Sequence, residues 1–161
     1  MLKFTICFIK QGDKLLLINR EYPAWMGSWN GVGGKLETDE TPVECVIREI
    51  NEETGIKPDT VDYKGIVTWE FDGVLTGGMY AFIAEIADDY VYETPRKISE
   101  GILDWKSIAW ILDPENTGVA GNLPKFLPKL LNDEDLYEHR CFFKNNVLAG
   151  VESTPMGDCG Y

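Results

Sequence analysis

At 161 residues, the chain fits one compact domain with a single core, and no second module is evident. Hydrophobic residues make up 44% and charged residues 26%, as in ordinary globular proteins. A net charge of −12 argues against nucleic-acid polymers and anionic membranes as partners, because both repel an acidic surface. A small polyphosphate stays possible if divalent cations bridge it to carboxylates.

The opening MLKFTICFIK has no basic segment followed by a long apolar core and a cleavage site. No later stretch reaches the roughly 18 apolar residues of a membrane span, so the expected location is the cytoplasm. Residues 3–10 and 14–20 are strand-like runs joined by Gln11-Gly12-Asp13, a hairpin link. From Glu21 to Glu40 the Pro, Gly, Trp and Asn content predicts a loop, and a helix over about 42–54 follows. Further strands are expected near 63–71, 79–87 and 102–110, the last containing Trp105 and Trp110. Asp113 to Leu131 predicts a loop leading into a short helix, and HRCFFK and VLAGVE flank Asn145-Asn146 as a last hairpin. The domain is expected over 1–152, with 153–161 a loosely held tail. Mixed strands with a few helices make the class α/β or α+β.

Cys7, Cys45, Cys141 and Cys159 lie far apart without CxxC spacing, which argues for free thiols over zinc ligands or a disulfide framework. The single histidine, His139, has no nucleophile nearby in sequence and is expected at the surface.

The helix near 42–54 carries the chemistry. Thr41 is placed to cap it, Pro42 suits the first turn, Glu44 completes a capping box, and Gly55 supplies a left-handed stop. Val43, Val46, Ile47, Ile50 and Thr54 share an apolar face at about 100° per residue. Glu49, Glu52 and Glu53, at i, i+3 and i+4, are expected together on the opposite side. Their mutual repulsion, and the helix dipole at the last turn, oppose helix stability, so local stability does not explain them. Divalent cations bound by several carboxylates do; a solvated acidic face salted by Arg48 is the plain alternative.

The preceding loop adds Gly31, Gly33 and Gly34, which allow close backbone approach, and Lys35, a point charge suited to phosphate. Together the segment reads Gly34, five residues, Glu40, seven residues, then Arg48-Glu49-Ile50-Asn51-Glu52-Glu53-Thr54-Gly55-Ile56. It resembles the Nudix box at every defined position. The resemblance implies an αβα sandwich around a mixed sheet, in a single domain, and hydrolysis of a nucleoside diphosphate linkage with Mg²⁺ or Mn²⁺. It also implies metal ligation by Glu52 and Glu53, a ligand or base role for Glu49, orientation of these groups by Arg48, and a further ligand in the Gly33 carbonyl. Glu40 reads instead as a brace for the loop or for Arg48.

Beyond the box the chain resembles the MutT-like branch that sanitises oxidised purine nucleotides. That likeness places Asn30, and Asn122 of Asn122-Leu123-Pro124, at base-reading positions, Trp69 against the base, and Glu100 as an additional metal-binding or catalytic carboxylate. Arg20 falls where the family often grips phosphate. Thr5 is a candidate for the base pocket and Trp25 for its mouth, although strand propensity and loop anchoring explain these two as well. The Trp and paired Asp of the animal enzymes near Asn122 are absent here. The implied reaction is cleavage of a nucleoside triphosphate such as 8-oxo-dGTP to monophosphate and pyrophosphate by a monomer or homodimer. The competing readings are the same chemistry on ADP-ribose, a nucleotide sugar or a dinucleoside polyphosphate, and a non-catalytic nucleotide-sensing module.

Overall fold

Unbroken apolar runs along the first two strands, Ile6 to Ile9 and Leu15 to Ile18, bury both faces of one sheet, and helices cover each face. The computed structural model describes residues 2–157. In chain order the elements are β1 (Phe4–Gln11), β2 (Lys14–Arg20), β3 (Trp29–Asn30), α1 (Pro42–Thr54), β4 (Thr60–Phe71), β5 (Val74–Glu85), β6 (Arg96–Ile98), β7 (Gly101–Ser107), α2 (Ile108–Leu112), α3 (Leu123–Asn132), β8 (Tyr137–Lys144) and β9 (Val147–Pro155). They form one sheet in the order β6-β7-β2-β1-β5-β4-β8-β9, with β3 paired to β2. The pairs β1–β5 and β4–β8 are parallel and the rest antiparallel, so the sheet is mixed, as expected.

On β1 the period of two sends Cys7 and Ile9 to one face, where they pack with Val46 and Ile50 of α1. Ile6 and Phe8 go to the other, against Phe126, Leu127 and Leu130 of α3. The result is a three-layer αβα arrangement with two cores. Asn145 and Asn146 both adopt positive φ, 50° and 62°, as a two-residue hairpin turn needs.

Two elements differ from expectation. The strand expected through residue 110 stops at Ser107, whose hydroxyl accepts the Trp110 N–H and caps α2, so Trp110 is helical. Ser153 to Pro155, expected in the loose tail, belong to β9, where Pro155 stands opposite Tyr137; the tail's last residues, with Cys159, lie outside the described residues. The other three cysteines are free and buried.

His139, expected at the surface, is fully buried. Alternation along β8 turns His139 and Cys141 inward together, and Nδ1 of His139 pairs with the Ser153 hydroxyl at 2.7 Å across the hairpin. That partner is remote in sequence. Burial holds the imidazole neutral, lowering its pKa from the ordinary 6.5 to about 4. Between those values the unfolded chain binds a proton that the folded chain refuses, so stability falls as pH drops from about 6.5 to about 4, by up to about 3 kcal/mol from this group. Urea titrations at pH 7.5 and 5 should therefore show a smaller acid-side loss for His139→Gln than for wild type; equal losses would show that another group sets the slope.

Candidate active site

The helix α1 begins and ends where its sequence dictates. Thr41 accepts the Glu44 N–H, Glu44 accepts the Thr41 N–H, and Gly55 closes the helix at φ 73°. Its buried arc differs from the expected one: Pro42, Cys45, Val46, Ile50 and Thr54 are inside, while Ile47 is 47% exposed. At about 100° per residue, an arc running from Cys45 to Thr54 contains Glu53 and Glu49 and has Glu52 at its rim. The acids are thus not opposite the buried face. The Glu49 side chain is 13% exposed, that of Glu52 56%, and Oε2 of Glu53 is buried with no protein partner.

Arg48 ties this helix to its loop. Its Nε and Nη2 donate to the two oxygens of Glu40, at 2.7 and 2.9 Å, while Nη1 reaches Glu49 at 2.8 Å and Glu52 at 3.2 Å. Nη2 also donates to the Lys35 carbonyl. Glu40 in turn accepts the Glu37 N–H, so it braces both the loop and Arg48. The guanidinium beside it holds the Glu40 carboxyl down at about 2, and the carboxylates push the Arg48 pKa up.

The glycine loop lies between β1 and α1. The Val32 and Gly34 carbonyls accept the N–H groups of Cys7 and Thr5. A Cβ on Gly33 would overlap the Thr5 carbonyl, and one on Gly34 would overlap the Glu49 carboxylate. Close approach is thus required here, to the protein's own strand and carboxylate.

Burial, then the charges of Glu100 and Glu49, raise the Glu53 pKa to about 8; Arg20 and the Gly33 N–H act against the rise. Burial also raises that of Glu49. Glu100, in the β6–β7 turn, is therefore near enough to act on both. Among the described residues no three His, Cys, Asp or Glu side chains already enclose a metal position. The donor set still fits a hard cation, because a partnerless buried carboxylate oxygen among like charges lacks the positive counterpart that Mg²⁺ or Mn²⁺ supplies.

Beside the acids opens a cavity of about 500 Å³ whose walls include Arg20, Trp25, Asn30, Trp69 and Asn122. Gly33 and Gly34 line it too. Arg20 donates to the Tyr22 and Pro23 carbonyls at its rim. Asn30 spends Oδ1 on the Gly31 N–H, which leaves Nδ2 as its donor. Thr5 borders the cavity, but its hydroxyl contacts Sγ of Cys45, on the α1 side of the sheet. Lys35 is exposed and, like the box glutamates, does not line the cavity; its carbonyl accepts from Arg48. Sequence reasoning missed Phe71 and Phe143, stacked at 4.7 Å on the cavity wall. Their signal was the aromatic at the end of each of two strands, but the parallel pairing that joins β4 to β8 is not written locally.

Residues 2–130 match the NUDIX domain family. This chain belongs to the Nudix family. It is 32% identical over 128 residues to a Nudix hydrolase of Bacillus subtilis, YvcI, covering 79% of each chain. It is 29% identical over 102 residues to the oxidized purine nucleoside triphosphate hydrolase of Mus musculus, covering 63% of this chain and 64% of that one. Among solved structures, the MutT protein of Bacillus halodurans superposes with a TM-score of 0.74 at 24% identity, over 95% of this chain and 97% of that one, which shows the shared Nudix fold. The chain is a Nudix hydrolase, and no helix among its described residues is long and apolar enough to cross a membrane.

Proposed function

We propose that this Nudix hydrolase cleaves a nucleoside triphosphate, with an oxidised purine such as 8-oxo-dGTP the favoured base, to monophosphate and pyrophosphate. The supporting observation is that the base-sized cavity and the acidic helix meet at one backbone step: Gly33 and Gly34 line the cavity, the Gly33 N–H lies near enough to Glu53 to favour its charge, and Gly34 abuts Glu49. A base in the cavity therefore directs its phosphates toward the carboxylates.

Glu49, Glu52, Glu53 and Glu100, with the Gly33 carbonyl, would hold Mg²⁺ or Mn²⁺. Such cations, when bound, neutralise phosphate charge and lower the pKa of water. Arg48 orients Glu49 and Glu52, and a carboxylate oxygen of this set takes the proton of the attacking water. Arg20, at the cavity rim, faces the phosphates, while Trp69 and the Phe71–Phe143 pair give the base flat apolar walls. Asn30 offers its Nδ2 to a base acceptor.

Discrimination among bases should weaken by about 1–3 kcal/mol in Asn30→Ala and Asn122→Ala, more than turnover of a saturating substrate slows, because unmatched buried hydrogen-bonding groups set selectivity. Competition assays with paired nucleotides read this directly, and unchanged selectivity in both variants would make the two amides structural.

A product-resolved screen of oxidised and ordinary nucleotides, ADP-ribose and diadenosine polyphosphates with Mg²⁺ tests the substrate, with excess chelator expected to stop turnover. Hydrolysis of the triphosphate in ¹⁸O-water locates the bond. Label in pyrophosphate is the expected result, since carboxylates beside the inner phosphates favour attack at the β-phosphorus; label in the monophosphate moves attack to the α-phosphorus, and orthophosphate as first product overturns the reaction. Strongest turnover of ADP-ribose would replace the substrate and keep the family chemistry.

A further inference from the structure

Asn122 stands at the N-cap of α3, where an asparagine ordinarily turns its side chain onto the helix N–H groups. It makes no such bond. Its Nδ2 donates instead to Sγ of Cys141 at 3.6 Å, and its Oδ1 has no protein partner although the residue is only 5% exposed. A buried amide diverted from a cap it was placed to make, and left with an unpaired carbonyl on a cavity wall, is set up for a ligand rather than for the helix. Cys141 is itself fully buried on β8, outside the segment that the family match spans. Its place is set by the parallel pairing of β8 with β4, in which it stands opposite Trp69, another residue of the cavity wall.

We propose that Cys141 is a positioning residue for base recognition: its sulfur takes the Asn122 N–H and so fixes Oδ1 as the acceptor left for an N–H of the base. The other cavity amide, Asn30, is fixed the opposite way, because its Oδ1 is held by Gly31 and its Nδ2 is free to donate. The cavity thus presents one set acceptor and one set donor, the complement of a base that carries an N–H and an oxo or ring-nitrogen acceptor. Without the sulfur, the Asn122 amide rotates and the acceptor is no longer guaranteed. This inference rests on the nucleotide reading above for its ligand, and on the Cys141–Asn122 contact alone for its device.

Two measurements separate these parts. In the nucleotide-free protein, the Asn122 side-chain amide resonances, identified by their loss in Asn122→Ala, should exchange slowly with solvent in wild type and Cys141→Ser, and at least about tenfold faster in Cys141→Ala and Cys141→Val. In the kinetic cycle, Cys141→Ala should raise KM for 8-oxo-dGTP about fivefold in the wild-type background and less than about twofold in the Asn122→Ala background, with Cys141→Ser close to wild type. Equal rises in the two backgrounds, or unchanged amide exchange in both Cys141→Ala and Cys141→Val, would overturn the proposal, since a packing role adds independently of Asn122. If wild type does not turn over 8-oxo-dGTP, the substrate reading fails. The amide exchange then still decides whether Cys141 holds Asn122, and the cycle is read on the nucleotide that the screen identifies.

Discussion

Glu53→Gln is expected to lose turnover by a factor on the order of 10² or more while making the metal-free protein more heat-stable. Glu53 lies on the buried arc of α1 with an oxygen that no protein group satisfies, and the Glu49 and Glu100 charges act on it. A carboxylate so placed opposes folding, and a neutral amide of the same shape relieves roughly 1–3 kcal/mol of that cost. The same replacement removes the oxygen charge that a divalent cation needs. Activity at saturating Mg²⁺ and thermal melting in excess chelator should therefore move in opposite directions. A glutamine variant within a few-fold of wild-type kcat, with an unchanged melting temperature, would return Glu53 to the role of a solvated helix acid and sink the metal assignment.

That opposition also explains what was legible in the sequence. The borders of α1 were, because a capping box, a proline in the first turn and a left-handed glycine are each specified by one or two neighbouring residues. The three acids were legible as a chemical anomaly, and the pairing of Arg48 with Glu40 followed from the box. The direction in which the helix rolls was not. Counting apolar residues put Ile47 inside, yet the structure exposes it and buries Cys45, because the loop and β1 cover that side and the Gly34 backbone fits only around Glu49. Helix rotation is a tertiary choice, and the three acids, counted as polar, drew the expected apolar face away from themselves. His139 failed for a related reason: its partner Ser153 and its neighbours Phe126 and Tyr137 meet it only after β8 has paired with β4 and β9. Lys35 was chosen for its charge, and the bond its carbonyl makes to Arg48, thirteen residues on, was not legible.

Arg48→Ala is expected to cost on the order of 10²-fold in kcat and, unlike Glu53→Gln, to lower stability as well. The guanidinium side chain is only 23% exposed, and Glu40 and Glu49, its partners, are 11% and 13% exposed, so water cannot replace it well. Removing it leaves two inward-facing carboxylates and the Lys35 carbonyl without their donor, and breaking such a shielded pair costs far more than breaking a surface one. Arg48→Lys restores the charge but not the fork: an ammonium cannot donate to both Glu40 oxygens while also reaching Glu49 and Glu52. The lysine variant should accordingly recover part of the stability and little of the turnover. Glu40→Gln should lower stability by removing one arm of the fork while leaving the contacts of Arg48 to Glu49 and Glu52, so its kcat should fall less than that of Arg48→Ala. Urea denaturation and saturation kinetics on the three variants check this order. If Arg48→Lys matches wild type in kcat, or Glu40→Gln loses as much turnover as Arg48→Ala, Arg48 acts only as a positive charge and does not set the orientation of the acids.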